Sequence, residues 1–466
     1  MTIRTIPPSP AAGGVTCAGT WFSAARMLDV ELTEPLPAVP GDGPHQQVFV
    51  LARLHTEPVG TSVLQLSPDG FTPGQLSALL WREFRAPVME RFAAAGIPLP
   101  GPLTCEGLQA DPATWPFLLR RRAVLAAAPF ISVVICTRDR PERVQTWLRC
   151  ISRQDYPRYE VVVVDNAPAK DIVRDSVAAA QGRVPFRYVS EPRPGLSWAR
   201  NAGIAAAAGD IIAFFDDDGE PDRHWLASLA CGFARGDDVG CVTGMVLPAR
   251  LDTPAQDLAE QLDGFCKGRG FSPAIFSRHG PQSPLYPVPP FGVGANMAFR
   301  REILARIGGF DVALGAGTPA GAGEDTLALT MVLLAGYRIA YEPAALMRHD
   351  HRHDLNGLRR QAHGHGTGLT AYYAAVLRHR PDLFPALIRL VPTGAGYLRK
   401  GNFRCTTAPL GLLKALKRRY RWSMLIGPVA YARSMRRQSR VAAKEAVKRK
   451  RQAGPLPPAF SHPLGS

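Results

Sequence analysis

The stretch Asp210-Ile-Ile-Ala-Phe-Phe-Asp-Asp-Asp218 decides the fold class of this chain. Its central apolar run predicts a strand that is buried on both faces, as in a parallel sheet. The acidic triplet Asp216-Asp217-Asp218 follows at the point where the chain leaves this strand. Because ligands bind at the carboxyl ends of strands in open α/β sheets, the three carboxylates are candidate site residues.

Three more apolar, β-branched runs precede the triplet, and helical stretches separate them. They are Ile131–Ile135, Tyr159–Val164 and Phe186–Val189. This alternation predicts an α/β fold, with a Rossmann-like, mixed but mainly parallel sheet flanked by helices. Thr137 and Arg138 follow the first run, and Asp165 follows the second. We therefore expect polar side chains to converge with the triplet on one edge of the sheet.

The chain divides into three predicted regions. A small α+β module of unassigned chemistry covers residues 1–125, the α/β domain covers 130–355, and a helical, basic region covers 356–466. Within the first region, residues 1–45 are interpreted as an irregular lead-in rich in Pro and Gly. Its expected elements are strands over 48–55 and 62–66 and a helix over 72–95.

Composition limits the class of protein. Hydrophobic residues make up 46% of the 466 residues, which is enough for a buried core in two or three domains. The eight cysteines form no C-x-x-C pair, so neither a zinc site nor a disulfide framework is indicated. Met1–Pro10 lacks the pattern of a secretory signal, and no apolar run is long enough to cross a bilayer. We expect a cytoplasmic protein.

Most of the excess positive charge lies near the end of the chain. The net charge is +16, and Gly411–Gln452 contains 14 basic residues and the single acid Glu445. Because Tyr420 and Trp422 stand among these basic residues, the segment could lie on an anionic membrane surface, at the inner face of the membrane. A solvated basic end fits equally well. A nucleic-acid partner is not expected, because the strand-end acids would repel phosphates.

The acidic triplet has a metal-binding interpretation and a simpler one. Asp216 and Asp218 are separated by one residue and can face one site. Such hard oxygen ligands suit Mg²⁺ or Mn²⁺ that also binds a diphosphate. An isolated D-x-D is more often a solvated turn. The apolar strand before the triplet, the helix around Trp225 after it, and the neighbouring polar clusters favour the metal site.

Several motifs, in this order, resemble those of the family 2 glycosyltransferases, an inverting family with the GT-A fold, over about residues 130–355. The motifs are Ile131–Pro141, Val162–Asn166, Pro194–Gly203, Phe215–Asp218, Gly294–Arg300, Gly309–Asp311 and Gly323–Asp325. The resemblance implies that a sugar moves from a nucleotide diphosphate donor to an acceptor hydroxyl, with Mn²⁺ or Mg²⁺ as cofactor. The acceptor would be a saccharide, a lipid-linked molecule or a small molecule.

The same resemblance implies roles for individual residues. Donor nucleotide binding falls to Thr137, Arg138, Asp165, Arg200, Asn201, Asp216 and Asp217. Asp218 would ligate the metal with His349, or with His351 as the second choice. Asp325 would be the general base, with Glu324 in support. Trp225 and Asn296 are candidates for acceptor binding, although burial of Trp225 is an equal alternative.

Other interpretations of these residues stay open at the level of sequence. Asp165 and Arg200 alone fit a helix cap or a surface ion pair, and Glu324-Asp325 fits a pair of acids that complements a helix dipole. The glycine-rich run Leu314–Gly323 could close over the donor as a lid. The alternative to an enzyme is a catalytically silent scaffold of the same family that binds nucleic acid or a membrane surface. It would require damage at the base or metal positions, and none is visible.

Overall fold

The structure, a computed structural model, describes residues 21–41, 43–138, 140–180, 184–263, 269–281, 283–285, 291–400 and 408–452. Parts of three predictions lie outside these ranges. They are residues 1–20 of the N-terminal module, residue 139 in the loop after the first predicted strand, and 453–466 of the C-terminal region.

A small sheet and one long helix form the N-terminal part. Their bounds are β1 (Ala25–Glu31), β2 (Gln47–Leu54), β3 (Glu57–Gln65) and α1 (Pro73–Ala95). Thr72 begins α1 with a capping box, in which its side chain and that of Gln75 each accept a hydrogen bond from the other residue's backbone N–H. Apolar side chains of α1, including Leu80 and Phe84, then pack with those of the small sheet at helical spacing.

Strand β1 corrects the interpretation of residues 1–45 as an irregular lead-in. It pairs in parallel with β2, from Ala25 opposite Gln47 to Glu31 opposite Arg53. The local composition hid this strand because its partner lies on the far side of a segment rich in proline and glycine. The two predicted strands are confirmed as β2 and β3, and the predicted helix as α1.

A nine-stranded mixed sheet forms the centre of the described chain. Its strands are β4 (Ile131–Thr137), β5 (Tyr159–Asn166), β6 (Phe186–Glu191), β7 (Ile211–Asp216), β8 (Gly219–Pro221), β9 (Val239–Pro248), β10 (Ala274–Phe276), β11 (Asn296–Arg300) and β12 (Arg338–His349). Their order is β10-β12-β9-β11-β7-β4-β5-β6, and β8 pairs with β12. Strands β8, β10 and β11 run against the direction of the others.

Helices cover both faces of this sheet. They are α2 (Pro116–Ala126), α3 (Pro141–Ser152), α4 (Ile172–Ala179), α5 (Leu196–Ala206), α6 (Trp225–Phe233), α7 (Pro254–Asp263), α8 (Arg301–Ile307) and α9 (Glu324–Leu334). Alternate residues of one strand enter opposite cores, as Val161 and Val162 do. This explains why the strands are continuous apolar runs, and it confirms the predicted fold class. The bounds of the three predicted regions stay predictions.

Three further helices follow β12. They are α10 (Leu355–His379), α11 (Phe384–Lys400) and α12 (Leu410–Gln452). Two glycines let α10 and α12 approach closely, because a Cβ at Gly366 would meet Ser423 and a Cβ at Gly427 would meet Thr370. Among the helices of the described residues, none combines the length and the apolar character needed to cross a bilayer.

The small sheet packs on the large one. Phe49 and Leu51 of β2 lie in one apolar cluster with Met245 and Leu247 of β9. Beside this cluster, Arg53 Nη2 lies 2.7 Å from Asp222 Oδ2, just after β8. The contact therefore holds the N-terminal elements against the strands that carry the candidate site.

Candidate active site

Three strands deliver their polar residues to one edge of the large sheet. Thr137 at the end of β4 is the register partner of Asp165 on β5. On the other side of β4, Cys136 is the partner of Asp216, the last residue of β7. Because the strands are parallel, their carboxyl ends coincide, and the convergence predicted from the sequence is confirmed.

The acidic triplet lies beside His349. One ligand atom from each of Asp216, Asp218 and His349 falls within 4.8 Å of the other two. His349 Nε2 is 3.0 Å from Asp218 Oδ1. The short strand β8 follows the triplet directly and pairs Gly219 with His349, which brings the end of β12 to the acids. His351 turns elsewhere, and its Nε2 lies 3.0 Å from Glu260 Oε2 on α7.

This donor set fits a divalent cation. Carboxylate oxygens are the ligands that Mg²⁺ and Mn²⁺ prefer, and an imidazole nitrogen is a common addition for transition metals. Asp218 and His349 are buried and therefore held in place, while Asp216 is partly open to solvent. A metal bound between them would have protein ligands on one side and room for a ligand's oxygens on the other.

Arg140 is a residue of this site that sequence reasoning missed. Its Nη1 lies 2.7 Å from Asp217 Oδ1 and 3.2 Å from Asp218 Oδ2. Thr137 Oγ1 donates a hydrogen bond of 2.8 Å to the other oxygen of Asp217. Asp217 thus fastens the loop after β4, and the arginine balances two acids. Its position in the same polar loop as Thr137 could have identified Arg140 as a site residue from the sequence.

Burial and neighbouring charges shift the pKa values of these acids in different directions. Burial raises the pKa of Asp217 to about 6, against the opposing effect of Arg140. Burial also works to raise the pKa of Asp218, but His349 and Arg140 outweigh it and lower that pKa. The pKa of His349 is raised by Asp218 although burial opposes this. Each of the two groups therefore favours the charged form of the other.

The candidate base pair begins helix α9. Asp325 Oδ2 accepts a hydrogen bond of 2.7 Å from the Gly294 backbone N–H, and Asp325 Oδ1 accepts one of 2.7 Å from the Thr326 N–H. Both bonds fix the orientation of a carboxylate that is still partly exposed. A Cβ at Gly294 would lie only 2.8 Å from Asp325 Oδ2, so the close approach requires glycine there.

One buried arginine joins the triplet to this pair. Arg200 Nη2 lies 3.2 Å from Asp216 Oδ1, and its Nη1 lies 2.8 Å from Glu324 Oε1. Nη2 also donates to the Gly294 carbonyl at 3.3 Å. Burial, with Asp325 nearby, raises the pKa of Glu324 to about 7, while Arg200 opposes the rise. The strand-end acids and the helix-start acids therefore form a single connected group.

Several predicted site residues make other contacts. Trp225 and Asn296 are fully buried, and Trp225 Nε1 donates to Asn296 Oδ1 at 2.8 Å. Asn201 exchanges two hydrogen bonds with the backbone of Phe310. The hydrogen bonds named here join these three side chains to core residues and backbone rather than to the acids of the triplet. Asp165 stays at the strand edge and accepts from the Tyr188 hydroxyl at 3.1 Å.

Residues 132–308 match the family model described as Glycosyl transferase family 2. This part of the chain is therefore similar to the family 2 glycosyltransferases. The matched segment contains the triplet, Arg140 and Arg200, whereas Asp325 and His349 lie beyond its end. The contacts of Arg200 and Asp218 thus connect the matched segment of the domain to residues outside it.

Two curated relatives are similar to part of this chain. The pre-mycofactocin glycosyltransferase of Mycobacterium tuberculosis is 29% identical over 195 residues, which cover 42% of this chain and 38% of the relative. The glucosyl-dolichyl phosphate glucuronosyltransferase of Haloferax volcanii is 24% identical over 227 residues, which cover 47% of this chain and 68% of the relative. The chain therefore spans less than half of the first relative's length.

Solved structures similar to the chain include the following two. One is the mannosyltransferase PcManGT from Pyrobaculum calidifontis in complex with GDP-Man and Mn²⁺, with a TM-score of 0.41, 22% identity, and coverage of 76% of this chain and 96% of that one. The other is S. aureus TarS 1-349 in complex with UDP-GlcNAc, with a TM-score of 0.38, 14% identity, and coverage of 64% and 91%.

Proposed function

We propose that this protein transfers a sugar from a nucleotide diphosphate sugar to an acceptor hydroxyl, with inversion at the anomeric carbon. The observation that carries the proposal is the contact of Arg200 with both Asp216 and Glu324. It joins a candidate metal site and a candidate base in one group, and a displacement needs both a stabilised leaving group and a proton acceptor. The family match over residues 132–308 supports the same reaction class.

On the donor side, Asp216, Asp218 and His349 would hold Mn²⁺ or Mg²⁺. When bound, the metal ion supplies a Lewis acid that stabilises negative charge on the departing nucleoside diphosphate. We propose that the donor nucleotide pocket lies at the ends of β4, β5 and β7. Its residues would be Thr137, Arg138, Asp165 and Asp217. Arg140, which contacts Asp217 and Asp218, would supply a positive charge for the diphosphate oxygens.

On the acceptor side, Asp325 takes the proton of the attacking hydroxyl. Its two carboxylate oxygens are oriented by the N–H groups of Gly294 and Thr326. The acceptor oxygen then bonds to the anomeric carbon on the face opposite the diphosphate, whose bond to that carbon breaks. Glu324 binds Arg200, which also contacts Asp216, and so fixes the position of the base relative to the donor site.

The acceptor belongs to one of three classes: a saccharide, a lipid-linked molecule or a small molecule. One relative is named for a glucosyl-dolichyl phosphate and another for pre-mycofactocin, so the similar proteins themselves differ in this respect. We place the protein in the cytoplasm, at the inner face of the membrane, where lipid-linked acceptors are accessible.

Binding and hydrolysis of donors test the proposal. The purified chain is incubated with a panel of UDP, dTDP and GDP sugars, with Mn²⁺, with Mg²⁺ and without metal. We expect one donor to bind and to be slowly hydrolysed only when metal is present, and Asp218→Asn to abolish both. Asp210→Asn is the matched control, because this exposed acid precedes the opposite end of the same strand.

The outcome that contradicts the proposal is equally concrete. If no donor of the panel responds to metal, or if Asp218→Asn behaves like Asp210→Asn, the enzyme interpretation is wrong. Tight, salt-sensitive binding of DNA without any donor response would instead favour a silent scaffold with a nucleic-acid partner.

A further inference from the structure

Helix α12 exposes large apolar side chains on its outer face. Trp422 is 66% exposed, Leu425 69% and Val429 53%. The spacing of three and four residues places them on one side of the helix. A solvent-facing helix surface is normally polar, so a row of this kind calls for a partner.

Basic side chains continue the same row in both directions. Arg418 lies one turn before Trp422, and Arg433 and Arg436 follow Val429 at the same helical spacing. All three are exposed, and the sequence from Leu410 to Lys444 contains no acidic residue. We call the set of Arg418, Trp422, Leu425, Val429, Arg433 and Arg436 the α12 stripe.

The opposite face of α12 is already occupied by the protein. Ser434 Oγ accepts a hydrogen bond of 3.3 Å from the Ala320 N–H, and the Tyr431 hydroxyl donates one of 2.7 Å to Asp311 Oδ2. Gln438 is buried as well and accepts from Trp198 Nε1 at 2.7 Å. The inner face of α12 thus packs against the protein through both polar and apolar side chains, while the apolar side chains of the stripe face outward. The stripe is not a misplaced core face of this fold.

Helix α11 repeats the feature. Phe384 is 55% exposed, Ile388 54% and Val391 61%, again at a spacing of four and three residues. Other residues of α11, including Leu387 and Leu390, pack against the apolar cluster that contains Tyr431 of α12. Two helices that share this inner cluster therefore both present apolar rows to the outside.

We propose that the α12 stripe docks the protein on the surface of a bilayer that contains anionic phospholipids. The axis of α12 would lie along the bilayer surface, with Trp422, Leu425 and Val429 in the interface and the arginines at the lipid phosphates. The positive charge of the stripe favours an anionic bilayer over a second copy of the chain, because the arginines of two copies would repel each other. The aliphatic side chains favour lipid over nucleic acid, because they contribute no binding energy to contacts with a phosphate backbone. The proposal supplies a surface for the membrane location suggested above and does not depend on sugar transfer.

Docking would bring the candidate active site close to the membrane. The inner face of α12 contacts Ala320 in the glycine-rich segment before Glu324, and Asp311 just ahead of that segment. The docking helix therefore packs against the segment that leads to the candidate base.

Vesicle binding by the full chain tests the proposal. The protein is sedimented with vesicles of phosphatidylcholine alone and with vesicles of equal parts phosphatidylcholine and phosphatidylglycerol. We expect binding to the anionic vesicles only, weakened by salt. The triple variant Trp422→Ser, Leu425→Ser, Val429→Ser should bind at least about tenfold more weakly. Arg433→Gln should weaken binding about fivefold, the loss expected for one surface charge.

The matched control is the double variant Val63→Ser, Leu119→Ser. These side chains are also exposed, at 49% and 46%, but they belong to other elements, β3 and α2. Their replacement should leave vesicle binding unchanged. Circular dichroism of the triple variant should match the wild type, because the substituted side chains are exposed.

Three results would overturn the docking proposal. They are equal vesicle binding by the triple variant, equal binding of the wild type to neutral vesicles, and a wild-type dimer that the triple variant converts to a monomer. The last would identify the stripe as an interface between copies. Donor binding is measured in the same samples, so a failure of the sugar-transfer proposal would be seen separately from a failure of docking.

Discussion

Arg200 is the residue on which the candidate site depends most for its stability. It is buried and forms ion pairs with Asp216 and Glu324, so replacing it leaves two acids near each other without their shared cation. We expect Arg200→Met to lower the free energy of unfolding by about 3 kcal/mol, the loss typical of a broken buried ion pair. Urea denaturation at neutral pH measures the change.

Arg82 provides the comparison. Its ion pair with Glu83 lies on the surface, with Arg82 69% exposed. Surface pairs contribute between about zero and 1 kcal/mol, so Arg82→Met should have almost no effect. If the two variants lose the same stability, the Arg200 bridge does not hold the site together.

Asp325 and Glu324 should differ in their kinetic effects. Asp325→Asn keeps an oxygen that can accept from the Gly294 N–H but removes the proton acceptor. We expect kcat to fall by about 10²-fold to 10⁴-fold while the donor dissociation constant stays the same. Steady-state kinetics and titration calorimetry separate the two quantities. Glu324→Gln should cost less, and a larger loss in that variant would reverse the proposed roles.

Which site residues can be predicted from a sequence depends on what decides their position. Asp216 and Asp325 follow recognisable elements, a buried strand and a glycine-rich segment, so local order locates them. Asn296 and Trp225 carry equally polar or aromatic side chains, yet they bond to each other inside the core. That outcome depends on packing between β11 and α6, which the sequence does not display. The same holds for Arg140, whose partners lie on a different strand end.

Among the elements, the segment before α9 sets the position of the candidate base. Gly323 has a φ of 99°, and a Cβ there would lie 2.8 Å from the Gly368 carbonyl oxygen of α10. Gly323→Ala should therefore displace the start of α9 and lower kcat by at least about tenfold, because small misplacements of a base are costly. Turnover assays with the preferred donor measure this.

Gly336 is the matched glycine for that experiment. Its φ of 93° is similar, but a Cβ there would meet nothing within 4 Å. Both alanine variants incur about 1 kcal/mol of backbone strain, and Gly323→Ala adds the close contact with the Gly368 carbonyl oxygen. Only Gly323→Ala should lose turnover. Equal turnover in the two variants would show that the contact with α10 does not position the base.

Asp311 anchors the C-terminal helices, and its charge gives that anchoring a pH dependence. Burial works to raise the pKa of Asp311, but hydrogen bonds from His379, Tyr431 and the Ala313 N–H outweigh it and lower the pKa. A lowered folded-state pKa stabilises the fold above the ordinary carboxyl value of 3.8, and the benefit is lost as the pH falls through the folded-state pKa.

Asp311→Asn isolates this contribution. At neutral pH the variant should be less stable than the wild type by about 2 kcal/mol, the value of hydrogen bonds to a charged group. The difference should shrink toward zero in acid, where Asp311 of the wild type is itself protonated. Urea denaturation of both proteins across the acidic range measures it. If the difference in stability does not change with pH, the loss comes from altered packing around residue 311 and not from the charge of Asp311.

The elements themselves were predictable to different degrees. Strands β4, β5 and β7 are continuous apolar runs because both of their faces are buried, so their sequences alone identify them. Strand β1 depends on a parallel partner that follows a proline-rich segment. The close approach of α10 to α12 depends on Gly366 and Gly427, single residues whose meaning appears only when the two helices are placed together.

At the scale of the whole molecule, the small N-terminal sheet is attached to the large sheet through buried contacts. Leu51 lies in the shared apolar cluster with Met245 and Leu247 of β9. Leu80 of α1 is equally buried but belongs to the core of the N-terminal part alone. Replacing Leu51 therefore disturbs the contact between the N-terminal part and the large sheet, whereas replacing Leu80 disturbs only the core of the N-terminal part.

We expect the two parts to unfold together, because the shared cluster couples them. Leu51→Ala and Leu80→Ala should each lower the free energy of unfolding by about 2–5 kcal/mol. Hydrogen exchange in the urea transition should then accelerate in α1 and in β12 alike, in both variants. Acceleration confined to α1 in Leu80→Ala would mean that the N-terminal part opens alone. Because Arg53 and Leu51 reach the strands beside the acidic triplet, joint unfolding would also tie the N-terminal part to the integrity of the candidate site.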